Sequence, residues 1–103
     1  MHMIHVIASV RVKPGKRAKF LDVFKANLPM VRREQGCIRY LPAVDIDAAL
    51  PKQVFDADVV TIIETWESLD ALRDHLATSH IAAYRERVRE IVEETTLKIL
   101  QEV

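Results

Sequence analysis

Two histidines, His75 and His80, carry the most chemical promise in the chain. A neutral imidazole, with an unperturbed pKa near 6.5, is the natural proton acceptor at physiological pH. The plainer reading is that one of them caps or hydrogen-bonds a break between helices. A metal reading is weaker, because two side chains five residues apart point about 140° apart on a continuous helix, and no third histidine lies nearby. Glu64 alternates with Ile62 and Trp66 on one strand face, where a carboxylate among apolar neighbours needs a partner or an upward pKa shift. It could orient His75 or His80, and a structural pair with an arginine is the favoured alternative. Trp66 offers either a flat wall for an aromatic ligand or a large core side chain. Tyr40 and Tyr84 could donate phenolic hydrogen bonds to a ligand oxygen, or stand as core aromatics with their hydroxyls at the rim. Tyr84 follows His80 by four residues and so shares its helix face. Asn27, one turn before Val31, could bind a carbonyl oxygen or lie exposed on a helix. Cys37 has no neighbouring cysteine to resolve an oxidised thiol and is taken as a small buried hydrophobe. His2 and His5 offer no ligand geometry.

The chain that must position these groups has 103 residues, enough for one domain spanning 1–103 and too few for a second. Half the residues are hydrophobic and 29% are charged, a globular composition. Fifteen basic and fifteen acidic residues cancel, so no global field attracts nucleic acid or an anionic membrane. No apolar stretch approaches the roughly 20 residues that span a bilayer, and nothing reads as a signal peptide. A single cysteine makes no internal disulfide, and a cytoplasmic setting is expected.

Hydrophobic periodicity gives the elements. Residues 3–13 read as a strand with Ile4, Val6, Ala8, Val10 and Val12 on one face, ended by Pro14-Gly15. Residues 16–34 read as a helix built on Phe20, Phe24, Leu28 and Val31; Pro29 should kink or divide it, and Gly36 suits a left-handed C-cap. A second strand starts at Cys37 and extends toward Ile46, and residues 45–58 form a long loop of the kind that often covers a site. The clearest strand is 59–67, with Val60, Ile62, Glu64 and Trp66 on one face. Ser68 is the expected N-cap of a short helix at 69–76, and Thr78 or Ser79 that of a helix at 80–93 with the stripe Ile81, Tyr84, Val88 and Ile91. A strand at 95–101 closes the chain.

The order β-α-β-β-α-β, with the second helical region broken in two, is the ferredoxin-like α+β arrangement of four antiparallel strands with helices on one face. The uncovered face would leave Ile7, Val59 and Ile63 in water, a patch that favours association, so a sheet-to-sheet homodimer is expected.

Several segments resemble the antibiotic biosynthesis monooxygenase family across nearly the whole chain: residues 11–20 (RVKPGKRAKF), 33–40 (REQGCIRY) and 64–84 (ETWESLDALRDHLATSHIAAY). Within it, Gly36–Asp45 is similar to a Gly-Cys-x-x-Tyr-x-Pro-x-Val-Asp run of the bacterial quinol monooxygenase subgroup. So are the blocks Trp66–Ser68 and His75–His80. The resemblance implies a dimeric α+β barrel with an apolar pocket between sheet and helices. It also implies oxidation of a small quinol- or phenol-like aromatic substrate by O₂ with no metal or flavin cofactor. His75 or His80 would then remove a phenolic proton, Trp66 would form the stacking wall, and Tyr84 would orient a substrate oxygen. Haem-degrading relatives use an asparagine on the first strand and a histidine on the last helix, where this chain has Ala8 and Arg85, which argues against haem cleavage.

Two other classes stay open. An isomerase or epimerase on a small polar metabolite would use the same histidines and Glu64. A phosphorylated substrate would further need Arg73, Arg85, Arg87 or Arg89 to point inward, whereas helical periodicity places most of them outside. A dimeric module that binds an aromatic ligand without turnover would be indifferent to loss of either histidine.

Overall fold

The computed structural model describes residues 2–103 and has seven elements. They are β1 (Ile4–Val12), α1 (Arg17–Arg32), β2 (Cys37–Val44), β3 (Val59–Trp66), α2 (Leu69–Leu76), α3 (Ser79–Val88) and β4 (Val92–Gln101). The strands form one antiparallel sheet in the order β2-β3-β1-β4, the ferredoxin-like topology. Valine-rich alternation places β1 at the sheet's centre, with Val6, Ala8, Val10 and Val12 buried beneath the helices. Val60, Ile62, Glu64 and Trp66 of β3 are buried too, and Phe20, Phe24, Asn27 and Val31 of α1 join the same core. On the other face Ile7 lies directly opposite Ile63, both half-buried.

The helix starts follow local chemistry. The Ser68 hydroxyl accepts the Ala71 N–H at 3.1 Å, and the Thr78 hydroxyl accepts that of Ile81, so Thr78 rather than Ser79 is the cap.

Four expectations are corrected. First, Pro29 does not divide α1, which is one helix through that position; the ring removes a single intrahelical bond, in the last turn. Second, α1 ends at Arg32 with Arg33 as a right-handed cap; Gly36 has the expected positive φ, but in the turn into β2. Third, α3 stops at Val88 and β4 begins at Val92, because Lys13 N–H bonds the Ile91 carbonyl and Val12 pairs with Val92. Fourth, the helices cover β1 to β3 but not β4. Leu97 and Ile99 align with Ala8 and Val6 on the helix side, yet each is 49% exposed. Pro42 is tolerated in β2 because that strand forms the sheet edge. Residues 45–58 form the expected long connection, with Ile46, Leu50, Val54 and Phe55 exposed.

Candidate active site

One glycine brings the distant halves of the site together. In the turn after α1, Cys37 N–H bonds the Glu34 carbonyl, with Gly36 at φ +85° in the third position. A β-carbon on Gly36 would stand 2.6 Å from the Ala71 β-carbon, so only glycine lets this turn rest against α2. The Gly36 carbonyl also accepts the Glu67 N–H at 2.8 Å. His75 follows Ala71 by one helical turn on the same face, which places its imidazole beside Glu34.

There the Glu34 carboxylate holds both histidines. His75 Nδ1 is 3.0 Å from each of its oxygens, and His80 Nε2 is 2.6 Å from Oε2. An ionised carboxylate only accepts, so both ring nitrogens donate. The proton of His75 is then fixed on Nδ1 and its lone pair on Nε2, for which no protein partner occurs among the described residues. The break between α2 and α3 makes this convergence possible. On a continuous helix the two imidazoles would diverge, but the Thr78 cap starts a new axis.

His75 is 3% exposed and sits in an aromatic cluster, its ring centroid 4.5 Å from that of Trp66 and 5.3 Å from that of Tyr40. It forms part of the wall of a cavity of about 470 Å³ between the sheet and the α2–α3 pair. That size suits a small organic ligand. Apolar side chains such as Ala8, Phe24, Ile62 and Ile81 make up much of the lining, and the polar residues on it include Glu64, Tyr40, Tyr84 and His75. Neither tyrosine hydroxyl has a protein partner among the described residues. No fully buried side-chain N or O there lacks one, so both hydroxyls keep access to the cavity. Arg32 donates twice to the Tyr40 carbonyl, tying the end of α1 to β2 and fixing where the Tyr40 ring projects. Half-exposed Leu97 lines the β4 side, where the cavity opens.

Burial controls the electrostatics. It lowers the pKa of His75 below the ordinary imidazole value, against the opposing hydrogen bond and charge of Glu34, so the ring is neutral at pH 7. Burial pushes Glu64 up to about 7, although the Trp66 indole N–H donating to it at 2.9 Å favours the anion. Burial, with the Glu64 charge, raises the Tyr40 hydroxyl far above its ordinary value. Burial likewise raises Tyr84, with Arg85 opposing. The tyrosines therefore remain donors.

His75, Glu64, Tyr40 and Tyr84 are thus gathered on one cavity. His80 is not among its lining residues, since it turns to Glu34 although Tyr84, one turn later, faces the ligand space. Of the two readings of Trp66, its position fits the core side chain: it is fully buried, is not among the lining residues, and stands behind Glu64 and His75, holding the one and packing on the other. Asn27 is buried in the α1 stripe rather than exposed, and it is not among the cavity's lining residues. Glu64 pairs with neither histidine nor arginine but with Trp66. Arg73, Arg85, Arg87 and Arg89 are all exposed, as helical periodicity places them, but Arg85 and Arg89 also border the cavity. Glu34 was missed. Its only signal in the sequence is its place two residues before the glycine of a tight turn, and its partner His75 lies 41 positions away. Among the described residues no group of three or more His, Cys, Asp or Glu is arranged to hold a metal ion. No helix there is long and apolar enough to cross a membrane.

Comparison with known proteins bears on what such a cavity does. The family model described as antibiotic biosynthesis monooxygenase matches residues 3–87. The chain is 42% identical over 101 residues to the Escherichia coli K12 protein named "Probable quinol monooxygenase YgiN", covering 96% of this chain and 97% of that one. A protein of Shewanella oneidensis superposes with a TM-score of 0.83 at 28% identity, over 98% of this chain and 91% of its own. A conserved protein of Methanosarcina mazei has the same fold, with a TM-score of 0.85 at 24% identity, over 100% of this chain and 95% of its own.

Proposed function

The chain belongs to the antibiotic biosynthesis monooxygenase family, and from that premise we propose that it oxidises a quinol-like aromatic substrate with O₂, His75 being the base. The observation that carries this reading is the imidazole at the cavity wall, with Nδ1 anchored by Glu34 and Nε2 left to accept a proton. A phenol is a poor one-electron donor and its anion a good one. His75 Nε2 takes the proton of one hydroxyl while Tyr40 and Tyr84 donate to substrate oxygens. The anion passes one electron to O₂, and the resulting semiquinone and superoxide combine at a ring carbon as a hydroperoxide. Loss of water leaves the hydroxylated quinone, so quinol plus O₂ gives hydroxyquinone plus water. Glu64, which titrates near 7, is suited to supply the proton that leaves with the water. The apolar walls keep bulk water from the radical pair.

We further propose that the protein works as a homodimer in the cytoplasm, as one domain over residues 1–103. The uncovered sheet face with its Ile7–Ile63 pair, and β4 with Leu97, Ile99 and Leu100 exposed, supply the apolar area that a second copy would cover.

The test is O₂ uptake with menadiol, uncatalysed oxidation subtracted, for wild type and His75→Ala. Uptake above background that is lost in the variant supports the reading. Tight binding of menadiol without uptake would make the protein a binding module and refute it.

A further inference from the structure

Two arginines that the quinol reaction does not use border the cavity, both of them exposed at its open side. Arg85 in the last turn of α3 and Arg89, the residue that caps its C-terminus, are successive-turn neighbours, and both line the cavity. Like charges four residues apart on a helix repel one another unless an anion lies between them. Arg89 pairs only with Glu86, at 3.4 Å and with both side chains 70% exposed, a contact of little worth. Arg85 makes no ion pair among the described residues. The remaining polar lining near the chemistry, Glu64, Tyr40 and Tyr84, brings no fixed positive charge.

The sheet register sets the distance between the two ends. Glu64 of β3 lies opposite Val6, and Thr95 of β4 lies opposite Val10, both pairs on the helix side. Four strand residues separate these points along the sheet, about 13 Å, and two strand spacings separate them across it, about 10 Å. Arg89 stands just before β4 starts, at the Thr95 end, and Arg85 is one turn nearer His75. A ring held by its hydroxyl at His75 and Tyr40 therefore points its far side, or a chain attached there, toward guanidinium.

We propose that Arg85 and Arg89 form a carboxylate subsite, and that the natural substrate is a hydroxylated aromatic acid whose carboxylate lies beyond the reacting ring. The proposal rests on the quinol reading for the ring, but the subsite stands on its own geometry. A guanidinium fork matches a carboxylate in a way a neutral substituent does not. The apolar stretch between the two ends accepts the intervening ring or methylenes.

The test uses a naphthoquinol bearing a butanoate side chain and its methyl ester, which share ring electronics and differ in charge. Wild type is expected to show about tenfold higher kcat/KM for the acid, carried mainly in KM, the effect of one charge-assisted bond. Arg85→Met and Arg89→Met should each shrink that ratio, and the double variant should bring it to unity. Arg87→Met, on the same helix but outside the cavity lining, should leave it unchanged. Circular dichroism checks that each variant is folded. A ratio near unity in wild type, or one that survives the double variant, overturns the subsite. If neither quinol is turned over, the quinol reading fails by itself. Calorimetric binding of naphthalene butanoate then decides the subsite: a Kd about tenfold weaker in Arg85→Met upholds it, and an unchanged Kd overturns it.

Discussion

Replacing Glu34 by Gln keeps the side chain's size and removes the charge on which both histidines depend. In the native site one carboxylate receives Nδ1–H of His75 at 3.0 Å and Nε2–H of His80 at 2.6 Å. An amide has a single accepting oxygen, so its NH₂ must face one of the two rings. If it faces His75, Nδ1 becomes the acceptor, the proton moves to Nε2, and the lone pair at the cavity is lost. If it faces His80, His75 keeps its tautomer but loses its charged partner. A hydrogen bond to a charged group is worth about 1.5–3 kcal/mol, which corresponds to a fall of about 10- to 150-fold in kcat/KM. The pH profile adds a second readout. Activity requires neutral His75, so the rate rises with pH through the His75 pKa. The hydrogen bond and charge of Glu34 both raise that pKa, against burial. Glu34→Gln should therefore move the acid limb to lower pH while lowering the plateau. O₂ uptake with menadiol between about pH 5 and pH 8, corrected for uncatalysed oxidation, measures both. A plateau within twofold of wild type, or a limb that moves to higher pH, would refute the coupling of Glu34 to His75.

Glu64→Gln should reverse a pH-dependent weakness in the fold. The Glu64 carboxyl titrates at about 7 when folded and near 4.5 when unfolded, so its stabilising contribution is complete below pH 4.5 and is lost as pH rises to 7. The loss is about 3 kcal/mol. In urea unfolding, the variant should gain about that much on wild type between pH 4.5 and pH 8, and a pH-independent difference would contradict the assignment. Gly36→Ala combines a positive φ with a β-carbon contact of 2.6 Å, and should cost about 1–3 kcal/mol. It should also reduce activity by drawing Glu34 away from His75; an unchanged thermal midpoint would contradict this. Trp66→Phe leaves Glu64 without its indole donor, and should destabilise by about 1–3 kcal/mol while moving the Glu64 titration, followed by NMR, to higher pH. Ser68→Ala should cost about 1 kcal/mol through loss of the α2 cap, read by thermal unfolding.

Features set by neighbours in the chain were legible beforehand. The alternation of Val6, Val10 and Val12, the strand at 59–67 (observed as Val59–Trp66), the Ser68 cap, and a second cap at Thr78 or Ser79 (observed at Thr78) each answer to a short-range rule. The two-sided sheet followed from strand faces, whereas the sequence named His75, Tyr40, Tyr84 and Glu64 as candidates without placing them on one cavity. What failed depended on contacts between distant segments. Glu34 reaches His75 only because Gly36 lets a turn sit against Ala71, a contact that has no periodic signature. Trp66 shares a face with Glu64, but period two cannot tell the cavity wall from the layer behind it. Arg85 and Arg89 are exposed, as helical periodicity places them, but periodicity gives no sign that they also border the cavity. With β4 left unroofed, that flank of α3 becomes the cavity rim.

The central claim is that a protein-bound quinol reacts with O₂ after His75 takes its proton. It is tested most directly by oxidising menadiol under ¹⁸O₂ with purified wild type and with His75→Ala. Mass spectrometry of the quinone should show one ¹⁸O atom incorporated with wild type, at a rate above the uncatalysed reaction, and loss of that excess in the variant. Unlabelled quinone with the label recovered as hydrogen peroxide, or equal labelling by the two proteins, would contradict it.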